Sequence, residues 1–169
     1  DMRKALTAKE CIEAGGLRVD QVSGCGAGTH LITGRLPWMT ELQCGSYATM
    51  DAQYAAVGGA DYENALTVLV TVISRPRPGK AIVDAGLKAI TPEFGDPSVL
   101  VDGATWFDFS EEHGEITLEG PAQELRVGDK IALIPRHGCT TVNLYDRYHV
   151  VEDGALMDVW RVAARGRSQ

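Results

Sequence analysis

Apolar residues recur at helical spacing over residues 3–14, where Ala5, Ala8 and Ile12 share one face, and Gly15-Gly16 follows as a stop. Residues 17–22 read as a short strand that runs into Ser23-Gly24-Cys25-Gly26-Ala27-Gly28-Thr29. Residues 40–44 read as a second strand ending in Gly45-Ser46-Tyr47, and residues 50–57 as a short helix ended by Gly58-Gly59. Strand, loop and helix alternate here as they do in α/β architecture.

The pattern changes after Gly59. Residues 66–74, LTVLVTVIS, are rich in β-branched side chains and predict a buried core strand, broken by Pro76, Pro78 and Gly79. Further short strands are expected at 80–85, 105–109, 115–119, 130–135, 148–151 and 156–163, with Asp153-Gly154 as a hairpin turn between the last two. Short strands at this turn spacing predict a small barrel or a sandwich. The expected fold class is therefore mixed α/β and β, with an α/β part over 1–59 and a β domain over 60–169. Two strands cannot close a parallel barrel, so the first part reads as the end of a larger unit whose remainder lies upstream.

Composition narrows the function classes. The formal net charge is −7, and the sequence holds no basic cluster beyond Arg165-Gly166-Arg167, which argues against nucleic acid as a partner. No apolar run reaches the roughly 20 residues of a membrane helix, and the N-terminal stretch lacks an apolar signal core. Cys11, Cys25, Cys44 and Cys139 form no C-x-x-C pair, so free thiols in a reducing cytoplasm are expected.

Three stretches could carry chemistry. Glycines at 24, 26 and 28 permit close approach of backbone N–H groups to an anion, and Gly45-Ser46-Tyr47 repeats the arrangement after the next strand. Phosphate binding and two plain tight turns both fit that spacing. His137 and Cys139 would face the same side of an extended chain, where nitrogen and sulfur suit zinc, or else form a strand-end histidine beside a buried cysteine. Ser110-Glu111-Glu112-His113-Gly114 is a polar hairpin loop or a pH-tuned site. His30 and His149 show no partner pattern, and Arg165 and Arg167 read as a solvated tail.

In order along the chain stand VSGCGAGT, TELQCGSYATMD, IVDAGLKA, SEEHG, VGDKIALIPRHGCTTVNLYD and WRVAARGR. This ordered set resembles the family of D-threonine aldolases and D-serine dehydratases, pyridoxal-phosphate enzymes of the alanine racemase-like fold. The resemblance implies that residues 1–59 end a β/α barrel and that a β domain follows. It implies that Gly24, Gly26, Gly28, Thr29, Gly45, Ser46 and Tyr47 take the cofactor phosphate. His137 and Cys139 match the pair that binds a divalent metal, zinc before manganese. It also implies a cytoplasmic homodimeric lyase acting on a small D-3-hydroxy amino acid, by retro-aldol cleavage or by dehydration. The sequence departs from the family pattern at Cys25, Ala27 and Thr140. The family's Schiff-base lysine lies in a segment upstream of this chain, and Lys4, Lys9, Lys80, Lys88 and Lys130 match nothing catalytic. A non-catalytic β module for metal binding or subunit contact, or a racemase-like enzyme, are the alternative readings.

Overall fold

A computed structural model describes residues 2–57 and 62–167. Backbone contacts divide the chain into two units, Asp1–Met50 with Tyr54–Glu63, and Asp51–Gln53 with Asn64–Gln169. Gly58-Gly59, expected to end a helix, and the expected boundary after residue 59 lie outside the described residues.

The first unit starts with helix α1, Arg3–Ala14, closed by Gly15 and by Gly16 at φ 82°. None of its side chains is buried in this structure, although a lone helix of this length is marginal in water. Residues 17–22 do not form the expected strand. The strand here is β1, Ser23–Gly24, followed by the short helix α2, His30–Thr33. Strand β2, Glu41–Leu42, lies parallel to β1, with Ser23 opposite Glu41 and Gly24 opposite Leu42. A 3-10 turn over Ser46–Ala48 and helix α3, Ala52–Val57, complete the α/β part.

The second unit is a nearly closed six-stranded antiparallel barrel. Its strands are β3 Val68–Arg77, β4 Lys80–Val83, β5 Ser98–Val99, β6 Ala104–Phe109, β7 Gly114–Leu118 and β8 Lys130–Ile134. The order around the sheet is β5-β8-β3-β4-β7-β6. Alternation sets the inside: Val68, Val70, Val72, Ala81, Val83, Ile116, Leu118, Ile131 and Leu133 fill the core with Trp106, Ile90 and Ala122. Residues 66–74 are therefore not uniformly core, because Leu69 is 67% exposed and Ile73 39%. Pro76 does not break the strand. The pairing of β3 with β4 shifts between Ser74 and Arg77, and such an irregularity accommodates a residue that has no N–H to donate.

Helix α4, Gly138–Val142, follows the barrel, and strands β9, Arg147–Glu152, and β10, Ala155–Arg161, form a separate hairpin. Its turn residues, Asp153 and Gly154, both take positive φ, 49° and 77°, as the two-residue turn requires. Every residue of β10 is exposed, including Leu156, Met157 and Trp160.

Candidate functional site

The two glycine-bearing loops leave adjacent parallel strands, which brings them side by side. Cys25 and Cys44, one in each loop, have their sulfurs 3.8 Å apart. Burial first, and then the contact with Cys25, push the Cys44 thiol above its usual range. Gly24, Gly26, Gly28 and Gly45 are not among the glycines with positive φ; the strained backbone position is Cys25, at φ 68°. What these glycines supply is room. A Cβ on Gly26 would lie 3.6 Å from the Tyr54 hydroxyl, and one on Gly28 would lie 3.5 Å from Val57 and 3.6 Å from the Tyr54 ring. A Cβ on Gly45 would meet nothing within 4 Å. Thr29 Oγ1 lies 3.5 Å from Gly26 N, and Ser46 opens the 3-10 turn in the neighbouring loop. The Tyr47 ring packs against Tyr62, with centroids 5.7 Å apart. His30, which the sequence left without a partner, has its Nδ1 within hydrogen-bonding distance of Ala27 O and its Nε2 3.3 Å from the Tyr62 hydroxyl.

In the second unit, His137 and Cys139 do not lie on one extended strand. His137 is extended, at φ −132° and ψ 134°, and it caps helix α4, whose second residue is Cys139. The two-residue repeat of a strand therefore does not relate them. Another residue governs the histidine. Asp51, 1% exposed, accepts hydrogen bonds from His137 Nδ1 at 2.9 Å and from Gly138 N at 3.1 Å. The backbone holds it there: Ala52 N donates to Pro135 O at 3.1 Å and Gln53 N to Arg136 O at 3.0 Å. A carboxylate only accepts, so Nδ1 carries a proton in this contact. Phe94 meets the imidazole edge-on, with centroids 5.3 Å apart. Sequence reasoning missed Asp51, although it ends the quoted stretch TELQCGSYATMD.

Cys139 is exposed and free. Burial, and then the charge of Cys139, raise the Tyr148 hydroxyl above its usual range, so Tyr148 stays protonated at neutral pH. Next to Cys139, the Thr140 hydroxyl donates to Glu93 at 2.7 Å and lies 2.6 Å from the Thr91 hydroxyl. Among the described residues no group of three or more His, Cys, Asp or Glu side chains is placed to hold a metal. The SEEHG loop instead meets the DAGLK turn: Leu87 N donates to Ser110 O at 2.9 Å, Lys88 N to Glu111 O at 3.0 Å, and Lys88 pairs with Glu112. Among the remaining lysines, Lys9 pairs with Glu13 and Lys80 with Glu115.

A family model described as "Putative serine dehydratase domain" matches residues 65–151. The chain belongs to this family. It is 39% identical over 171 residues to a D-threonine aldolase of an Arthrobacter species, an alignment covering 99% of this chain and 45% of that protein. The crystal structure of D-threonine aldolase from Filomicrobium marinum superposes with a TM-score of 0.89 at 34% identity, over 95% of this chain and 46% of that one. D-threo-3-hydroxyaspartate dehydratase from Delftia sp. HT23 does so with a TM-score of 0.78 at 27% identity, over 91% and 47%. Solved variants of D-threo-3-hydroxyaspartate dehydratase replace a histidine and, two positions further on, a cysteine with alanine; the cysteine variant is described in a metal-free form. The chain thus spans about half the length of the relatives it matches. The six-stranded barrel corresponds to the C-terminal β domain of alanine racemase-like enzymes.

Proposed function

We propose that this chain forms the C-terminal part of a metal-dependent pyridoxal-phosphate lyase acting on a small D-3-hydroxy amino acid. The observation that carries this reading is the Asp51–His137–Gly138 arrangement. A buried carboxylate accepts from Nδ1 and so orients the imidazole, as carboxylates behind metal-binding histidines do. Cys139, two residues on, supplies a thiol, and an imidazole with a thiolate suits zinc better than manganese. His137 and Cys139 are the residues that would hold a divalent ion. The ion would supply Lewis acidity toward a substrate hydroxyl.

The first unit fits a phosphate. Gly24, Gly26 and Gly28 keep side chains out of the loop, and Gly45, Ser46 and Tyr47 stand on the adjacent one. Thr29 and Ser46 offer hydroxyl donors in addition to the backbone amides. Bound pyridoxal phosphate would supply an electron sink for the bond broken at Cα. Tyr148 holds its proton at Oη beside Cys139, which makes it a neutral donor there. The reading includes a cytoplasmic homodimer, which the four free cysteines and the exposed apolar residues of β10 support.

The deciding experiment measures metal bound to the natural protein by elemental analysis. His137→Ala and Cys139→Ala are each expected to lose most of the bound zinc; unchanged metal in both sinks the assignment. The phosphate loops are tested separately. Gly28→Val places methyl groups against the Tyr54 ring and is expected to weaken pyridoxal phosphate binding at least tenfold, read from cofactor absorbance near 420 nm; unaltered affinity removes the loop from the site.

The 169-residue polypeptide by itself is expected to form neither glycine nor pyruvate from D-threonine or D-serine. The chemistry needs a lysine amine at the cofactor. Lys80 and Lys88 belong to the barrel unit and are held by Glu115 and Glu112, and Lys9 is held by Glu13 on α1. Turnover by this polypeptide would place the catalytic lysine within it.

A further inference from the structure

We infer that one face of the β9–β10 hairpin is a binding site for a small dianion, held by Arg147 and Arg161. Residues opposite one another in an antiparallel pair share a face, and the register sets Arg147 opposite Arg161 and His149 opposite Val159. These four side chains, with Tyr145 and Asp146, line an open, solvent-facing concavity of about 730 Å³. Two like charges directly opposite each other destabilise a strand pair unless something neutralises them. The acid that lines the same concavity, Asp146, does not. The Asp146 carboxylate is engaged by Arg165 at 2.6 Å, and among the described residues neither Arg147 nor Arg161 forms an ion pair with a protein carboxylate.

A chain of net charge −7 thus collects two unpaired guanidinium groups and an imidazole on one concave wall. Each guanidinium offers a planar fork of donors that matches a pair of oxygens. Two forks side by side suit two carboxylates of one short organic acid, or the oxygens of one phosphate. Val159 and the Tyr145 ring supply apolar walls for the rest of such a molecule. The hairpin gives the arrangement its geometry, because register and turn fix both arginines to the same face.

The test titrates the protein, without added metal, with sodium succinate, inorganic phosphate and sodium acetate at constant ionic strength, followed by calorimetry. Saturable binding of succinate or of phosphate, with acetate at least tenfold weaker, is expected, and the tighter of the two identifies the source of the charge. Arg147→Gln and Arg161→Gln should each weaken that binding on the order of tenfold, while Arg167→Gln leaves it unchanged. The ligand-free melting temperature separates a binding role from a structural one. Removing either arginine relieves repulsion, so the melting temperature should hold or rise. A fall of several degrees in both variants, equal responses to all three anions, or binding insensitive to both substitutions overturns the inference. Because metal is absent throughout, the result stands apart from the assignment of His137 and Cys139.

Discussion

Gly86→Ala is expected to lower the melting temperature of the barrel by roughly 10 °C or more, the equivalent of about 3 kcal/mol at the upper end of overpacking costs. A Cβ at this position would lie 2.2 Å from Ser110 O, 2.5 Å from His113 N and 2.7 Å from Glu111 C. All three are backbone atoms, and they belong to the loop that accepts hydrogen bonds from Leu87 N and Lys88 N. No rotamer change can make room, so either the SEEHG loop or the DAGLK turn must move and break that docking. Thermal unfolding followed by circular dichroism checks it. A melting temperature within two or three degrees of the parent would mean that the loop yields cheaply and that the close approach is unimportant.

Asp51→Asn is expected to weaken metal binding by about 10–100-fold, the usual loss when the carboxylate behind a metal-bound histidine is changed. The amide keeps the volume and one acceptor, so the fold should persist. The amide oxygen can stand where Oδ2 accepts from Nδ1 and Gly138 N, but it carries no charge, so the imidazole loses the carboxylate that raises its basicity as a ligand. Asp51→Ala removes the acceptor of Gly138 N as well, in a pocket where the carboxylate is 1% exposed, and should also cost stability. Competition for zinc against a chromogenic chelator reads the first effect, and melting reads the second. Zinc affinity equal to the parent in Asp51→Asn would show that Asp51 is a purely structural buried acid.

Local signals in the sequence carried much of this fold. The helix stop at Gly15-Gly16 and the turn at Asp153-Gly154 are backbone requirements that a few residues express by themselves. The barrel strands were legible from their β-branched runs and the turn residues between them, whereas the alternation that buries Val68, Val70 and Val72 and exposes Leu69 and Ile73 came from the fold. Long-range contacts were not legible. Asp51 meets His137 across 86 positions, and neither residue's neighbours announce the other. Residues 138–142, Gly-Cys-Thr-Thr-Val, have the composition of a strand but form helix α4. Tertiary partners outweigh propensity there: the Thr141 hydroxyl accepts from Thr91 N, and Thr140 reaches Thr91 and Glu93. The two-residue β5 was missed because it pairs by position along β8, without a hydrophobic pattern of its own. The candidate residues themselves were identified by their ordered motifs, while the geometry between them came from the fold.

The incomplete closure of the barrel bears on how the protein behaves in a crowded solution. Strands β5 and β6 end the sheet and approach one another without pairing, so each leaves a row of backbone groups unmatched. Such an edge invites intermolecular pairing and aggregation. Strand β5 limits the hazard by being only two residues long. Strand β6 limits it with an irregularity between Trp106 and Asp108, where the ladder breaks and a carboxylate follows an exposed phenylalanine. An arriving strand would find no unbroken template on β6 and would have to desolvate that charge. Asp108 thus guards the seam against polymerisation, and its replacement by valine would turn a closed-off rim into an adhesive one.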